Sequence, residues 1–183
     1  MSQEPPGWVR VVVPERDGRS LFVGGVALAV DPESGIEEAA ADARSQIHLA
    51  ATKRFIDLFT LAVRESGIET TAMERLDLKN AITGDYGLRM AEAARQDSVF
   101  YRPCGETAGA AAPAAGGSGA PVCQVFVLMS LDARDWGSKL GELLAVQKRR
   151  RTEEGEAQLA EFAGWLTRQA IEDQPEGAEE HSR

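Results

Sequence analysis

The stretch FVGGVALAVDPESGIEEAAADARSQIHLAATKRF, residues 22–55, decides the fold. Its first nine residues form an apolar run in which small side chains alternate with larger ones, which is typical of a strand. Asp31 followed by Pro32 then suits an N-cap with proline at the first helical position, and Ser34 and Glu37 offer a capping box one turn later. The stretch therefore predicts a strand that leads directly into a helix.

The helix is predicted over residues 32–66, because apolar residues recur at spacings of three and four along this range and Gly67 supplies a C-terminal stop. We expect this helix to lie on the small-residue face of the preceding strand. That face carries Val23, Gly25, Ala27 and Ala29. The apolar stripe of the helix consists of Ile36, Ala40, Ala43, Ile47, Ala51, Phe55, Leu58 and Ala62.

Gly24 and Gly25 raise the question of a phosphate-binding loop. Their spacing fits neither the dinucleotide fingerprint nor the P-loop, and both glycines lie inside the strand instead of in the turn before the helix. Asp31 and Glu33 in that turn would repel a phosphate. The pair is therefore interpreted as a site of close helix packing or as a β-bulge.

Further strands are predicted on both sides of this stretch. Residues 8–13 and 21–30 form a hairpin around the turn signal Asp17-Gly18. Residues 98–102 and 122–131 form two antiparallel strands. The second of these is apolar on both faces, which indicates a central strand that is covered on both sides.

The remaining segments complete an α+β fold: a small, mostly antiparallel sheet of three to four strands against the long Ala-rich helix. Residues 68–96 are predicted to form a short helix or an irregular segment that TGDYG, residues 83–87, interrupts. A helical region follows from Asp132 to about residue 173, with a bend at Gly155. The predicted organisation is one domain over 1–145 with a flexible Ala/Gly/Pro loop at 103–121, a C-terminal helical extension over 146–173, and a disordered acidic tail over 174–183.

The composition excludes several classes of partner. The net charge is -9 and the pI is near 4.8, which argues against nucleic acid because binding to it depends on lysine and arginine. No apolar run approaches the roughly 20 residues that a membrane span needs. The N-terminus lacks the pattern of a signal peptide, so the chain as written is expected to be soluble and not exported. No motif predicts a cofactor.

Cysteine and histidine are too few for a structural zinc site, since the chain has two of each and the cysteines are far apart in sequence. Cys104 and Cys123 flank the loop between the two antiparallel strands. They are expected either to form a disulfide, which requires an oxidising compartment, or to remain two separate thiols. His48 has no nucleophile motif or second histidine beside it, so it is interpreted as a surface or packed residue.

Three surfaces are candidates for function. Trp136, Leu140, Phe162 and Trp165 form two apolar patches that could bind a protein partner. Lys148–Arg151 is a basic run that could contact a membrane surface, although the glutamates that follow favour a salt-bridged helix. Asp77, Asp85 and Asp97 are the acidic residues that a small enzyme with a site in the 77–101 region would use, although caps and turns explain them more simply.

The order of these motifs is similar to that of a known family. Pro6-Gly7-Trp8-Val9, the strand at 22–27, the Ala-rich segment at 39–44 and the later strand at 125–128 resemble the bacterial envelope lipoprotein family of the LPP-twenty type. That family is related to the N-terminal domain of the flagellar assembly protein T. The resemblance spans about residues 5–145 and implies a small antiparallel sheet packed on helices, with a non-catalytic envelope or assembly role. It carries over no catalytic residue.

Sequence alone therefore favours a non-catalytic scaffold or accessory module that binds a protein partner or a second copy of itself. The resemblance would place such a module at the cell envelope or in the periplasm. The small enzyme and the peripheral membrane binder are the alternatives.

Overall fold

The computed structural model of the chain describes residues 4–10, 15–16, 18–29, 31–103 and 123–172. The fold is α+β, as predicted, with a sheet of four strands, one of them only two residues long. A 3-10 helix at Gly7–Arg10 precedes the first strand. The other elements are β1 (Glu15–Arg16), β2 (Arg19–Ala29), α1 (Pro32–Glu65), α2 (Ala72–Ala93), β3 (Arg95–Pro103), β4 (Cys123–Asp132), α3 (Ala133–Glu153) and α4 (Ala157–Glu172).

The strands are ordered β1-β2-β4-β3, so β4 is flanked by strands on both sides, which confirms its prediction as a central strand. β3 and β4 are antiparallel, with Phe100 opposite Phe126. β2 and β4 also run in opposite directions. At one end of the pair, the N–H of Ala133 donates to the carbonyl of Gly18 (2.9 Å), and further along β2 the position of a Gly25 Cβ lies 3.1 Å from the Phe126 ring.

Helix α1 begins as the sequence predicts, because the Asp31 carboxylate accepts a hydrogen bond from the Ser34 N–H at 2.9 Å. The helix is continuous to Glu65, and Gly67 follows it with φ of +67°. The pattern of small residues lets α1 approach β2 closely: a Cβ on Gly24 would lie 1.9 Å from the Ala39 carbonyl oxygen. The interpretation of this glycine as a packing site is confirmed.

The prediction of which strand face meets α1 is wrong for Gly25. A Cβ on Gly24 would point into α1, whereas a Cβ on Gly25 would point to Phe126. Yet Ala29, five residues after Gly24, again lies against α1 at Gly35. Residues 24 and 29 fall on opposite faces of a regular strand, so β2 contains an irregularity between them that the two-residue period could not predict.

Helix α2 is unbroken through TGDYG, so the predicted interruption at residues 83–87 is wrong. The glycines cost helix stability, but the Tyr86 side chain between them is fully buried and repays that cost. Helix α1 packs closely on Gly87, since a Cβ there would lie 2.5 Å from the His48 ring and force that ring to move. His48 is therefore a packed, half-buried residue of α1, in agreement with its interpretation from sequence.

Helices α3 and α4 form a hairpin, and the bend predicted at Gly155 is confirmed. Gly155 has φ of +79°, its N–H donates to the Thr152 carbonyl, and the Glu156 N–H donates to the Arg151 carbonyl. These two bonds make a Schellman motif, in which glycine is the residue that adopts a left-handed conformation without strain. At the other end, Asp132 caps α3 through the N–H of Arg134, as predicted.

The described chain divides into two compact units. The sheet unit consists of the described residues within Met1–Arg16, Ser20–Gln46 and Arg95–Ser130. The helical unit consists of those within Asp17–Arg19, Ile47–Ala94 and Leu131–Arg183. The boundary predicted at 145/146 falls inside α3, which is continuous there because Leu143 and Leu144 are buried in the same core as its earlier turns.

The remaining predicted segments are the strand at residues 8–13, the loop at 103–121 and the tail at 174–183. Residues 8–10 belong to the 3-10 helix, so the prediction of a strand there is wrong; Pro6 favours the turn, and its carbonyl accepts the Val9 N–H at 3.0 Å. Residues 11–13, most of the 103–121 loop and the 174–183 tail lie outside the described residues.

Candidate functional site

One edge of the sheet is closed by side chains of α1. β1 pairs with only a short part of β2. Further along β2, the Gly25 N–H donates to the Asp42 carboxylate at 3.0 Å, and the Val23 carbonyl accepts a bond from the Gln46 amide at 3.1 Å. Gln46 also donates to Asp42 at 3.2 Å. A carboxylate and an amide thus offer β2 the acceptor and donor that a neighbouring strand would offer.

The register of the sheet shows which backbone groups face outward at the opposite edge. The Gly25 N–H points away from β4, because it bonds to Asp42. In antiparallel strands, opposite residues point their backbone groups either both toward each other or both away. Counted in register from the Ala133–Gly18 bond, Gly25 lies opposite Phe126. The N–H and C=O of Phe126 are therefore directed toward β3, and those of Phe100, its partner in β3, are directed back toward β4. Val99 and Tyr101, on either side of Phe100, must direct their N–H and C=O groups outward.

β3 is the other edge strand, and no strand among the described residues pairs with its outer side. The segment able to form a regular ladder there is short. A shift in register between Gln96 and Ser98 ends it on one side, and Pro103, which has no N–H, ends it on the other. The open segment is therefore residues 98–102, and its Tyr101 is 52% exposed.

An aromatic pair lies on one face of this edge. The Phe100 and Phe126 rings are stacked, with centroids 6.4 Å apart and planes at 28°. Both side chains are half-buried, and the absent side chain of Gly25 leaves room for the Phe126 ring. The open segment thus presents Phe100 on one face and Val99 with Tyr101 on the other, by the alternation of side chains along a strand.

The residues predicted to form a partner surface are mostly in the core. Trp136, Leu140 and Phe162 are buried, so their prediction as a surface is wrong. Their spacing made them equally suited to a helical core, and the α3–α4 hairpin packs them inward. The fourth member, Trp165, is half-buried.

Trp136 also takes part in a buried contact between α2 and α3 in the helical unit. The Tyr86 hydroxyl donates to the Trp136 carbonyl at 2.8 Å, and the Arg54 guanidinium lies 6.0 Å from the centre of the Trp136 indole. Burial raises the pKa of the Tyr86 phenol above its ordinary value, despite an opposing effect of Arg54. The phenol therefore stays protonated and acts as a hydrogen-bond donor that fixes α2 to α3.

Two of the four residues in the basic run Lys148–Arg151 are paired with glutamates. Arg150 bonds to Glu154 at 2.8 Å, and the buried Arg151 bonds to Glu156 at 2.7 Å. The side-chain hydrogen bond from Arg150 lowers the pKa of Glu154, which keeps this carboxylate charged. The salt bridges expected as the simpler explanation are therefore confirmed for Arg150 and Arg151.

The three acidic residues proposed for an enzyme site are all exposed. Asp77 and Asp85 are separated by about 12 Å along α2 at 1.5 Å per residue, and Asp97 lies at the register shift in β3. Within the described ranges, no group of three or more His, Cys, Asp or Glu could hold a metal ion. Asp77 and Asp85 lie inside α2 and Asp97 lies inside β3, so their explanation as caps and turns is wrong. An enzyme site at these residues stays a prediction.

The cysteine prediction falls partly outside the described residues. Cys104 is not described. The backbone of Cys123 lies opposite Pro103 in the β3–β4 ladder. The disulfide between the two cysteines stays a prediction.

Neither Asp42 nor Gln46 was a candidate from sequence, since a polar pair at i and i+4 on a helix is ordinary. The open segment of β3 was predicted as a strand but not as an edge. No described helix is both long and apolar enough to cross a bilayer. Comparisons of the chain with protein-family models, curated proteins and solved structures found no match.

Proposed function

We propose that the chain is a non-catalytic protein-binding module that accepts a partner strand along residues 98–102 of β3. The observation that carries this proposal is the difference between the two edges: α1 closes the edge of β2, whereas the backbone of Val99 and Tyr101 faces outward from β3. Strand addition of this kind is a common mode of peptide recognition, in which main-chain hydrogen bonds supply affinity.

The side chains around the open segment give the site selectivity. On one face, Val99 and the exposed Tyr101 form an aromatic and β-branched pair suited to an apolar cross-strand neighbour. On the other face, Phe100 extends the stack begun by Phe126. A partner strand with apolar residues at alternating positions fits both faces, and Arg102 at the end of the segment favours an acidic or polar residue opposite it.

Among the described residues, the closed edge of β2 leaves the edge of β3 as the place for strand addition. An exposed edge pairs with any available strand, and proteins commonly block such edges with charged side chains or bulges. Asp42 and Gln46 do this for β2, and the register shift beside Asp97 shortens the free part of β3. Strand addition is therefore directed to five residues.

An envelope location, which the resemblance to the LPP-twenty lipoproteins implies, belongs to the same proposal. It predicts that the native protein fractionates with the envelope and that its cysteines resist thiol labelling without reductant. Recovery in the cytoplasmic fraction with two reactive thiols would contradict the location, while leaving strand binding unaffected.

The test of strand binding uses a photo-crosslinking amino acid in place of Tyr101, in cells of the source organism. A second protein carries it at Leu88, which is 56% exposed on α2, as a control. We expect a discrete crosslinked partner from position 101 only. The crosslink should disappear with Val99→Pro, which removes an outward N–H, and persist with Val99→Thr. Equal crosslinking in both variants, or none from position 101, would contradict the proposal.

A further inference from the structure

We infer that the strand accepted by β3 is the β3 strand of a second copy of this chain, paired antiparallel about a two-fold axis at Phe100. This inference rests on the proposed function and names its partner. Its basis is the symmetry of the open segment, which runs from Ser98 to Arg102 and has Phe100 at its centre.

The limits of the segment select this register. An antiparallel copy aligned on Phe100 places Val99 opposite Tyr101 of the second copy, and Tyr101 opposite its Val99. Each of these two pairs exchanges two hydrogen bonds, so all outward N–H and C=O groups of both copies are used. Moving the axis to Val99 places Tyr101 against the register shift at residue 97, and moving it to Tyr101 places Val99 against Pro103. Only an axis at Phe100 keeps Val99 and Tyr101 away from both the register shift and Pro103.

The side-chain pairs that form about this axis are favourable. Phe100 becomes a non-hydrogen-bonded pair with its own copy, the arrangement in which side chains approach most closely. Because each Phe100 ring is stacked on Phe126 at 6.4 Å, pairing creates a row of four aromatic rings across the two sheets. Val99 and Tyr101 form cross-strand aromatic and β-branched pairs. Arg102 faces Ser98, so no like charges stand directly opposite.

Two factors act against dimerisation and keep the dimer weak. A five-residue ladder is a small interface, well under the ~1,200 Å² of stable complexes. The net charge of -9 on each copy adds repulsion, which salt screens. We therefore expect a dimer that forms with a Kd on the order of 10–100 μM and tightens as salt increases.

The first test is sedimentation of the full chain over a range of concentrations and salt. The wild type and Val99→Thr should dimerise alike, whereas Val99→Pro should weaken dimerisation at least about tenfold, which corresponds to the loss of paired hydrogen bonds at the centre of the ladder. Circular dichroism confirms that each variant is folded. A monomer at millimolar concentration, or a dimer that Val99→Pro leaves intact, overturns the inference.

The second test is the register, measured by disulfide formation in a background where Cys104 and Cys123 are replaced by alanine. Phe100→Cys should crosslink two copies on oxidation, since opposite Cα atoms are about 4.5 Å apart in such a pair. Arg102→Cys should not, because the two copies of residue 102 lie about 13 Å apart. Equal crosslinking at both positions contradicts the axis.

The inference and the proposed function fail separately. If the chain stays monomeric while Val99→Pro still abolishes the crosslink from position 101 to a different protein, the second copy is wrong as the partner and strand binding stands. If neither dimer nor crosslink depends on Val99, both are wrong.

Discussion

At the β2 edge, side chains of α1 occupy the places that a neighbouring strand would fill, whereas at the β3 edge the equivalent backbone groups of Val99 and Tyr101 face outward. The two edges differ in what lies beside them. A glycine in β2 lets α1 approach within reach of the edge, and β3 has no such neighbour among the described residues. Among the described residues, the fold thus closes one edge of the sheet and leaves the other open.

The largest expected effect is that of Gly24→Ala, which breaks the contact on which the closed edge depends. The new Cβ would lie 1.9 Å from the Ala39 carbonyl oxygen, so α1 must move away from the sheet. We expect the free energy of unfolding to fall by at least about 3 kcal/mol, measured by denaturant titration.

Gly25→Ala is the matched control for this change. Its Cβ would lie 3.1 Å from the Phe126 ring, which can shift, and at an ordinary contact distance of 3.8 Å from the Val125 carbonyl oxygen. The cost should stay below about 1 kcal/mol. Equal decreases in the free energy of unfolding for Gly24→Ala and Gly25→Ala would contradict the close packing of α1 at Gly24.

A second prediction distinguishes the inner from the outer side of β3. Phe100→Pro removes an N–H that points to β4, and it should cost about 2–3 kcal/mol more than Phe100→Ala. Val99→Pro removes an outward N–H and should differ from Val99→Ala by less than about 1 kcal/mol. Thermal or chemical unfolding of the four variants measures both differences.

The reverse order, with Val99→Pro the more costly proline, would mean that Val99 and not Phe100 is bonded to β4. The register, and with it the outward direction of Tyr101, would then be wrong.

The third prediction concerns a variant in which the closed edge of β2 is opened. The double variant Asp42→Ala, Gln46→Ala removes the hydrogen bonds to Gly25 and Val23 and should cost about 1–2 kcal/mol. It should also associate more readily than the wild type, because a second strand edge is exposed. Light scattering against concentration measures this. Glu38→Ala and Arg44→Ala, exposed positions on the same helix, should change neither property.

Much of the fold could be predicted from sequence because its signals are local. The Asp31-Pro32 cap, the apolar stripe of α1 and the left-handed glycine at 155 each depend on a few adjacent residues. The errors arose where distant contacts outweigh local preference. TGDYG has the composition of a turn, but burial of Tyr86 and the fit of His48 over Gly87 hold it in a helix.

The candidate site was less predictable for the same reason. An edge is defined by which strand is missing beside it, and strand order is a property of the whole sheet. Asp42 and Gln46 look like ordinary surface residues until β2 is placed under them. The buried Trp136 and Phe162 show the converse: apolar periodicity cannot distinguish a binding surface from a core.

Amide hydrogen exchange at Gly25, Val99 and Tyr101 is the most direct test of the difference between the edges. In dilute solution, where copies do not associate, we predict that the Gly25 amide exchanges about tenfold or more slowly than the amides of Val99 and Tyr101. The Gly25 N–H bonds to Asp42, whereas the register directs the other two amides away from every described strand. Slow exchange at Val99 and Tyr101 under these conditions, or fast exchange at Gly25, would contradict a sheet with one edge closed and the other open.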